Sequence, residues 1–189
     1  MKDIKPAILM LIVFTIICGG IYPAVVTGIA QAVFPKQANG SFITGKSGTE
    51  LGSALIGQPF SDAKYFWPRP SATADFAFNA MASGGSNSGP TNPDYLKTVR
   101  DRVKALRDTG VNGPIPADLV QASASGLDPH ITPESALIQV PRVAKARGVS
   151  EAAIITAVAK ATGDRQLGFL GTPRVNVLVL NLELDKLRQ

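Results

Sequence analysis

The stretch SASGLDPHITPESA, Ser123–Ala136, holds the only histidine of a 189-residue chain, His130, beside two serines and an aspartate. Serine, imidazole and carboxylate are the parts of a nucleophilic triad, in which the base takes the serine proton and the acid orients the base. Here Ser125, Asp128 and His130 fall within six consecutive positions, and one loop rarely brings three side chains into a converging line of hydrogen bonds. No GxSxG elbow accompanies them. The same letters also serve loop chemistry: Asp128 before Pro129 is a turn former whose carboxylate bonds nearby backbone N–H groups, as do Ser123 and Ser125, and Gly126 is free to take a positive φ. The expectation is a structural corner, Ser125, Gly126, Asp128, Pro129 and His130, that positions a helix starting at Pro133, with no catalytic residue.

A second polar loop, SGGSNSGP at Ser83–Pro90, lacks the GK[ST] ending of a phosphate-binding loop. Together with Arg69 it reads as a partner-facing loop, Ser83, Gly84, Gly85, Ser86 and Asn87. A nucleotide site has no motif to rest on. Metal chemistry is poorly supplied: the single cysteine, Cys18, lies in an apolar run, one histidine is too few for a zinc site without carboxylates, and no HExxH spacing occurs.

The elements that must position these residues are marked by caps and breakers. Asn92 or Thr91 caps a helix with Pro93 in its first turn, and Gly110 stops it. Leu96, Val99, Val103 and Leu106 form its apolar stripe, whereas Lys97, Arg100, Lys104 and Arg107 form a basic face, read as solvated. Thr132 caps the next helix, with Pro133 and Glu134 in its first turn, and Ser150 with Glu151 opens another that runs to Gly163. ALIGQPF, Ala54–Phe60, is expected to be a strand, as is RVNVLVLN, Arg174–Asn181, with LELDKLRQ as a terminal helical turn. Tyr65–Pro93 is too rich in glycine, serine and asparagine for a long element. No internal repeat is evident.

The first part of the chain is of another kind. From Pro6 to Phe34 there is no charged side chain, and at about 1.5 Å per residue such a helix exceeds the roughly 30 Å hydrocarbon core of a bilayer. AQA, Ala30–Ala32, imitates a signal cleavage site, but the run is far longer than a signal peptide's apolar region. The organisation expected is therefore a short N-terminus (1–5), a transmembrane helix (6–34) and one compact α+β domain (35–189). Gly20, Ala24, Gly28 and Ala32 recur every four residues and line one face on which another helix can pack closely, and Pro23 demands a local kink. Lys2 and Lys5 before the span nearly balance Lys36 and Lys46 after it. The long domain behind the span translocates largely regardless of charge, so the N-terminus is read as inside and the domain as outside. The net charge of +5 is then not a nucleic-acid footprint, since no such motif accompanies it.

The blocks GSALIGQPF, YFWPRPSA, FNAMASGGSNSGPTNP, IPADLVQASASGLDPHITPESALIQVPRVAKARG and NVLVLNLELDKL, in that order behind an apolar span, resemble the C subunit of the Kdp potassium-transporting ATPases. The resemblance covers nearly the whole chain. It implies a single-pass subunit of the bacterial inner membrane, embedded in lipid and partnered by a channel-like A subunit, a P-type ATPase B subunit and a small F subunit. ATP hydrolysis would lie in the B subunit, and no cofactor is expected here beyond the ATP of the family's description as a catalytic chaperone that raises the B subunit's ATP affinity. ATP binds in the cytoplasm, so an external domain favours an assembly and stabilisation role near the outer mouth of the potassium pathway. The other classes open to the residues are a membrane-tethered hydrolase using Ser125 and His130, and an external binding module using the glycine-rich loop.

Overall fold

The computed structural model describes residues 3–45 and 47–187; Lys2 and Lys46, two of the four lysines that frame the orientation argument, lie outside the described residues. The chain divides into two compact units, Met1–Ser53 and Ala54–Gln189.

The first unit begins with a helix that is apolar over its whole length, Ile4–Val33, with none of its most apolar window buried. It comprises α1 (Ile4–Ile16), a π-helical turn (Ile17–Ile21) and α2 (Tyr22–Val33). The π-turn is the answer to Pro23, which has no N–H to donate and whose ring crowds the preceding turn. One wider turn just before it, in which Tyr22 N–H reaches Ile17 O, takes up the misfit. Phe34 then breaks the helix at φ −132° and α3 (Pro35–Ala38) comes after it. The side-chain amides of Gln31 and Asn39 pair with each other at 3.1 and 3.3 Å across that break. The hairpin β1 (Phe42–Thr44) and β2 (Glu50–Ser53) is antiparallel with an irregularity between Ile43 and Thr44, and Ser53 Oγ donates to Gly40 O at 2.7 Å.

The second unit is α+β. Its helices start where the caps are: Asn92 Oδ1 accepts from Asp94 and Tyr95 N–H to open α4 (Pro93–Asp108). A small three-stranded antiparallel sheet comes next. It comprises β3 (His130–Ile131), which leads into α5 (Pro133–Leu137), then α6 (Val140–Arg147), α7 (Glu151–Ala161), β4 (Thr162–Gly163) and β5 (Arg174–Asn176), in the order β3-β5-β4. Val175 pairs with Ile131 on one side and Thr162 on the other. Thr132 Oγ1 accepts from Ser135 N–H and Ser150 Oγ from Ala153 N–H. The chain closes with α8 (Val177–Lys186). The core packs Phe66, Val143, Ile154, Val175, Leu180 and Leu184, all fully buried.

Two expected strands are corrected. Val177–Asn181 is helical, because Asn176 Oδ1 accepts from Val179 N–H and caps α8, and the buried set Val177, Leu180, Asn181 and Leu184 has helical spacing. Only Arg174–Asn176 of that stretch is strand. Ala54–Phe60 is not a strand: Gly57 N–H bonds Leu127 O, and Gly57 is glycine because the Phe78 ring occupies the space of a Cβ.

The segment Ala63–Trp67 leaves a turn, in which Tyr65 N–H bonds Asp62 O, runs on through Phe66 and Trp67, and joins no strand. Its backbone is met by side chains instead. Asn181 accepts from Phe66 N–H (2.8 Å) and donates to Phe66 O (3.0 Å), and Gln139 does the same for Trp67 (2.8 and 3.2 Å). Arg142 Nη1 donates to Ala63 O and Tyr65 O, and Arg147 Nε to Lys64 O. Replacing Asn181 by Leu keeps the volume and orphans two buried backbone groups, at about 1–3 kcal/mol each. We expect Asn181→Leu to lose about 2–5 kcal/mol of stability in chemical unfolding, more than Asn176→Ala, which removes a cap worth about 0.5–2 kcal/mol.

Candidate functional site

The corner and the glycine-rich loop, separate in sequence, are joined. Gly84 N–H donates to Ser125 O at 2.9 Å and Ser83 Oγ to the same oxygen at 3.1 Å. Gly85 lies so close to Ala124 that a Cβ would stand 3.1 Å from Ala124 O. Gly126 is the tightest point: its φ is +68°, and a Cβ would meet Thr73 Cγ2 at 2.6 Å and Gly84 O at 2.7 Å. Ser71 Oγ donates to Gly126 O at 2.8 Å, so the segment after Pro70 is sewn to the same corner. Ser86 and Asn87 are exposed, Asn87 with φ +49°.

Asp128 gathers the charged groups. Its Oδ2 pairs with Arg69 Nη1 at 2.9 Å, and its Oδ1 accepts from His130 N–H at 2.9 Å and faces His130 Nδ1 at 3.3 Å. Burial works to raise its pKa, but the hydrogen bonds from the His130 ring and backbone, with Arg69, outweigh it and hold the carboxyl below its ordinary value. Pro129 is buried, and its carbonyl accepts from Val177 N–H, which ties the corner to the start of α8.

Ser125 Oγ accepts from Leu127 N–H at 3.1 Å and lies 3.4 Å from Ser123 Oγ. None of the described hydrogen bonds joins Ser125 to His130. A residue that sequence reasoning missed is Asp118. Its Oδ2 accepts from Thr132 N–H at 2.7 Å and its Oδ1 from Ser135 Oγ, so it fixes the start of α5 from a distant turn. Nothing local in the sequence announces that partnership.

Beside the corner runs an open groove of about 370 Å³ walled by Phe60, Trp67, Phe78, Leu106 and Leu119, with Arg69 and Arg102 as its charged lining. Trp67 is the only tryptophan of the chain. Its indole N–H donates to Asp62 O and the Arg142 guanidinium lies 4.4 Å from its ring centre. On α4 the basic face is paired along the helix, Lys97 with Asp101 at 2.7 Å and Lys104 with Asp108 at 2.6 Å, all exposed, while Arg107 turns back onto Val111 O and Gly113 O. On the apolar helix, Gly20 and Gly28 have open space around them.

Comparison with known proteins identifies the family. A family model described as the K+-transporting ATPase, c chain, matches residues 4–186. The potassium-transporting ATPase KdpC subunit of Geotalea uraniireducens is 76% identical over 187 residues, covering 99% of both chains. That of Geobacter sulfurreducens is 72% identical with the same coverage, and that of Methylococcus capsulatus 58% identical over 97% of both.

The corner geometry orders four substitutions. Gly126→Val forces a side chain into a left-handed residue with no room for it, and Asp128→Ala strands Arg69 and His130 N–H. Each is expected to cost on the order of 1–3 kcal/mol in thermal unfolding. Ser125→Ala and His130→Ala remove half-buried partners and are expected to cost under about 1.5 kcal/mol. Because the folded pKa of Asp128 is depressed, its contribution is present above the ordinary carboxylate range and is lost as pH falls through the folded value. The Asp128→Asn variant should therefore show a smaller loss of stability below about pH 4 than the parent.

Proposed function

Because the chain belongs to the K+-transporting ATPase c-chain family, matched over residues 4–186, we propose that it is the non-catalytic accessory subunit of an ATP-driven, high-affinity potassium uptake complex. The family match over nearly the full length is the observation that carries this reading. The Ile4–Val33 helix anchors it in the bacterial inner membrane with the N-terminus in the cytoplasm and the α+β domain outside. Its partners are a channel-like A subunit, a P-type ATPase B subunit in which ATP is hydrolysed, and a small F subunit, all in the same lipid bilayer.

The role is assembly and stabilisation. In the membrane, helices associate through close packing of small residues more than through hydrophobicity. The row Gly20, Ala24, Gly28 and Ala32 is offered to a partner helix with nothing of this chain against Gly20 or Gly28. The catalytic-chaperone description of the family is met in this reading through contact with the B subunit's assembly, not through a nucleotide site on this chain. The domain's joined loops, Ser83–Asn87 and Ser125–His130, are the rigid external surface.

Two outcomes test the reading. A cysteine placed at Ser86, in a Cys18→Ser background, is expected to react with an impermeant maleimide in intact cells; reaction only after lysis would reverse the orientation. The double variant Gly20→Leu, Gly28→Leu is expected to integrate into the membrane normally but to recover its partner subunits at about a tenth of the parent's yield in mild detergent, the loss of about 1.4 kcal/mol of helix packing. Normal yield would remove the packing claim.

A further inference from the structure

The groove beside the corner has the lining of a binding site. Its walls are aromatic and aliphatic, its charged lining is two arginines, and no carboxylate lines it among the described residues. Arg102 keeps donors in reserve, and Arg69 is already paired. Arg102 Nη1 is engaged by Val120 O at 2.8 Å, and burial lowers the pKa of its guanidinium. Arg69 gives Nη1 to Asp128, while its buried Nε has no hydrogen-bond partner. A desolvated guanidinium with unused donors is completed by a carboxylate.

The rim says what carries that carboxylate. Ala77 and Phe78 line the groove, and the residue before them, Phe76, is 63% exposed, with Met81 three residues after Phe78 at 97%. Phe76 is held out by its neighbours: Asp75 and Phe78 take φ +65° and +61°, rare for residues with a Cβ. Ser71 Oγ accepts from Phe78 N–H at 2.9 Å, and Thr73 Oγ1 donates to Phe76 O at 2.7 Å, which fixes the strap. A small molecule filling the groove would leave Phe76 and Met81 in water; a protein surface would cover them, and aromatic, methionine and arginine side chains are those enriched where proteins meet.

We infer that this groove, with Phe76 and Met81 exposed on the segment that supplies its Ala77 and Phe78 wall, receives an extended loop of a partner subunit that presents a bulky apolar side chain next to a carboxylate. The inference rests on the accessory-subunit reading. The apolar side chain enters between Trp67 and Leu106, and the carboxylate pairs with Arg102. The buried pair and the filled pocket together make the kind of central anchor that dominates binding energy.

The test uses the full chain in a Cys18→Ser background with Ala105→Cys, a groove-lining and exposed position of α4, and Lys160→Cys on α7, also exposed, as reference. The probe is a maleimide, applied to the isolated chain in nonionic detergent and to the assembled complex. Ala105→Cys is expected to react freely in the isolated chain, and its rate relative to Lys160→Cys to fall about tenfold or more in the complex, as for a desolvated anchor. Arg102→Glu and Ala105→Trp are each expected to lower recovery of partner subunits about tenfold, while Arg102→Lys keeps most of it. Ala105→Trp leaves the Arg102 bond to Val120 untouched, so its effect is not one of folding, and thermal unfolding of every variant checks this. An unchanged rate ratio in the complex, or normal recovery of both groove variants, overturns the inference alone. Protection already present in the isolated chain identifies a small amphiphile as the occupant and overturns it too. Failure of the parent chain to recover any ATPase partner overturns the accessory-subunit reading and this inference with it.

Discussion

Several elements of the second unit meet on one segment outside the sheet, Ala63–Trp67, whose backbone at buried Phe66 and half-buried Trp67 has no strand to lie against. Buried N–H and C=O groups must find partners, and here they find two side-chain amides and two guanidiniums. An amide sets an N–H donor beside a C=O acceptor at a spacing that matches a residue's own N–H and C=O, so Asn181 and Gln139 each stand in for one residue of a missing strand. Aspartate or glutamate would supply acceptors only. Because Gln139 precedes α6 and Asn181 lies on α8, the clamp brings those elements onto the segment and drives Phe66 into the core at 0% exposure. It also sets Trp67 into the groove wall and aims Arg69 at Asp128.

The guanidiniums show how this region tolerates charge. Arg142 is nearly buried, and burial lowers its pKa to about 10. It remains protonated at neutral pH. Since its folded pKa lies below its unfolded one, stability rises with pH only between those two values, and the cost of the buried charge is constant around pH 7. That cost is offset by bonds to Ala63 O, Tyr65 O and Gln139 Oε1 and by the Trp67 ring. Arg147, five residues further on, repeats the arrangement between Lys64 O, Leu184 O and Asp185, over the Tyr65 ring. A planar fork with five donors can satisfy several carbonyls at once, which no lysine can do.

What was legible in the sequence was what is local. The caps Asn92, Thr132 and Ser150 each bond N–H groups within three residues, so the helices they open could be placed from a handful of letters. Gly126 was legible as a strained turn for the same reason. The run VLVLN was not, because a short buried apolar stretch has the same composition in a strand and in a helix; the deciding residue was Asn176, a cap hidden among β-branched neighbours. The strand expected at Ala54–Phe60 failed on a non-local fact: the chain turns at Ala54–Leu55, and the stretch is held by Asn176 Nδ2 on Ala54 O and by Gly57 N–H on Leu127 O, without a strand register. The partnership of Phe66 with Asn181, 115 positions away, and of Asp118 with Thr132 and Ser135, depends on the finished fold, so no spacing rule could expose it. The joining of Ser83–Gly85 to Ala124–Ser125 belongs to the same class: each loop was readable as polar and turn-rich, but not as half of one construction.

The unusual backbone geometry is unevenly distributed, and its placement bears on function. Of the five described non-glycine residues with positive φ, three, Asp75, Phe78 and Asn87, fall between 75 and 87. Each such residue costs on the order of 1–3 kcal/mol and persists only where its surroundings over-determine it. Here the surroundings do: Ser71 Oγ, Thr73 Oγ1 and Asn79 Nδ2 bind the backbone of the strap, and Gly57 and Gly126 leave room for Phe78 and Thr73 against the corner. A loop held this way gives up its conformational freedom during folding, not during binding. Binding still costs about 0.5–1.5 kcal/mol for each side chain immobilised, but the backbone of this strap is already fixed. Strain stored under exposed Phe76 and Met81 suits a surface built in advance to be recognised.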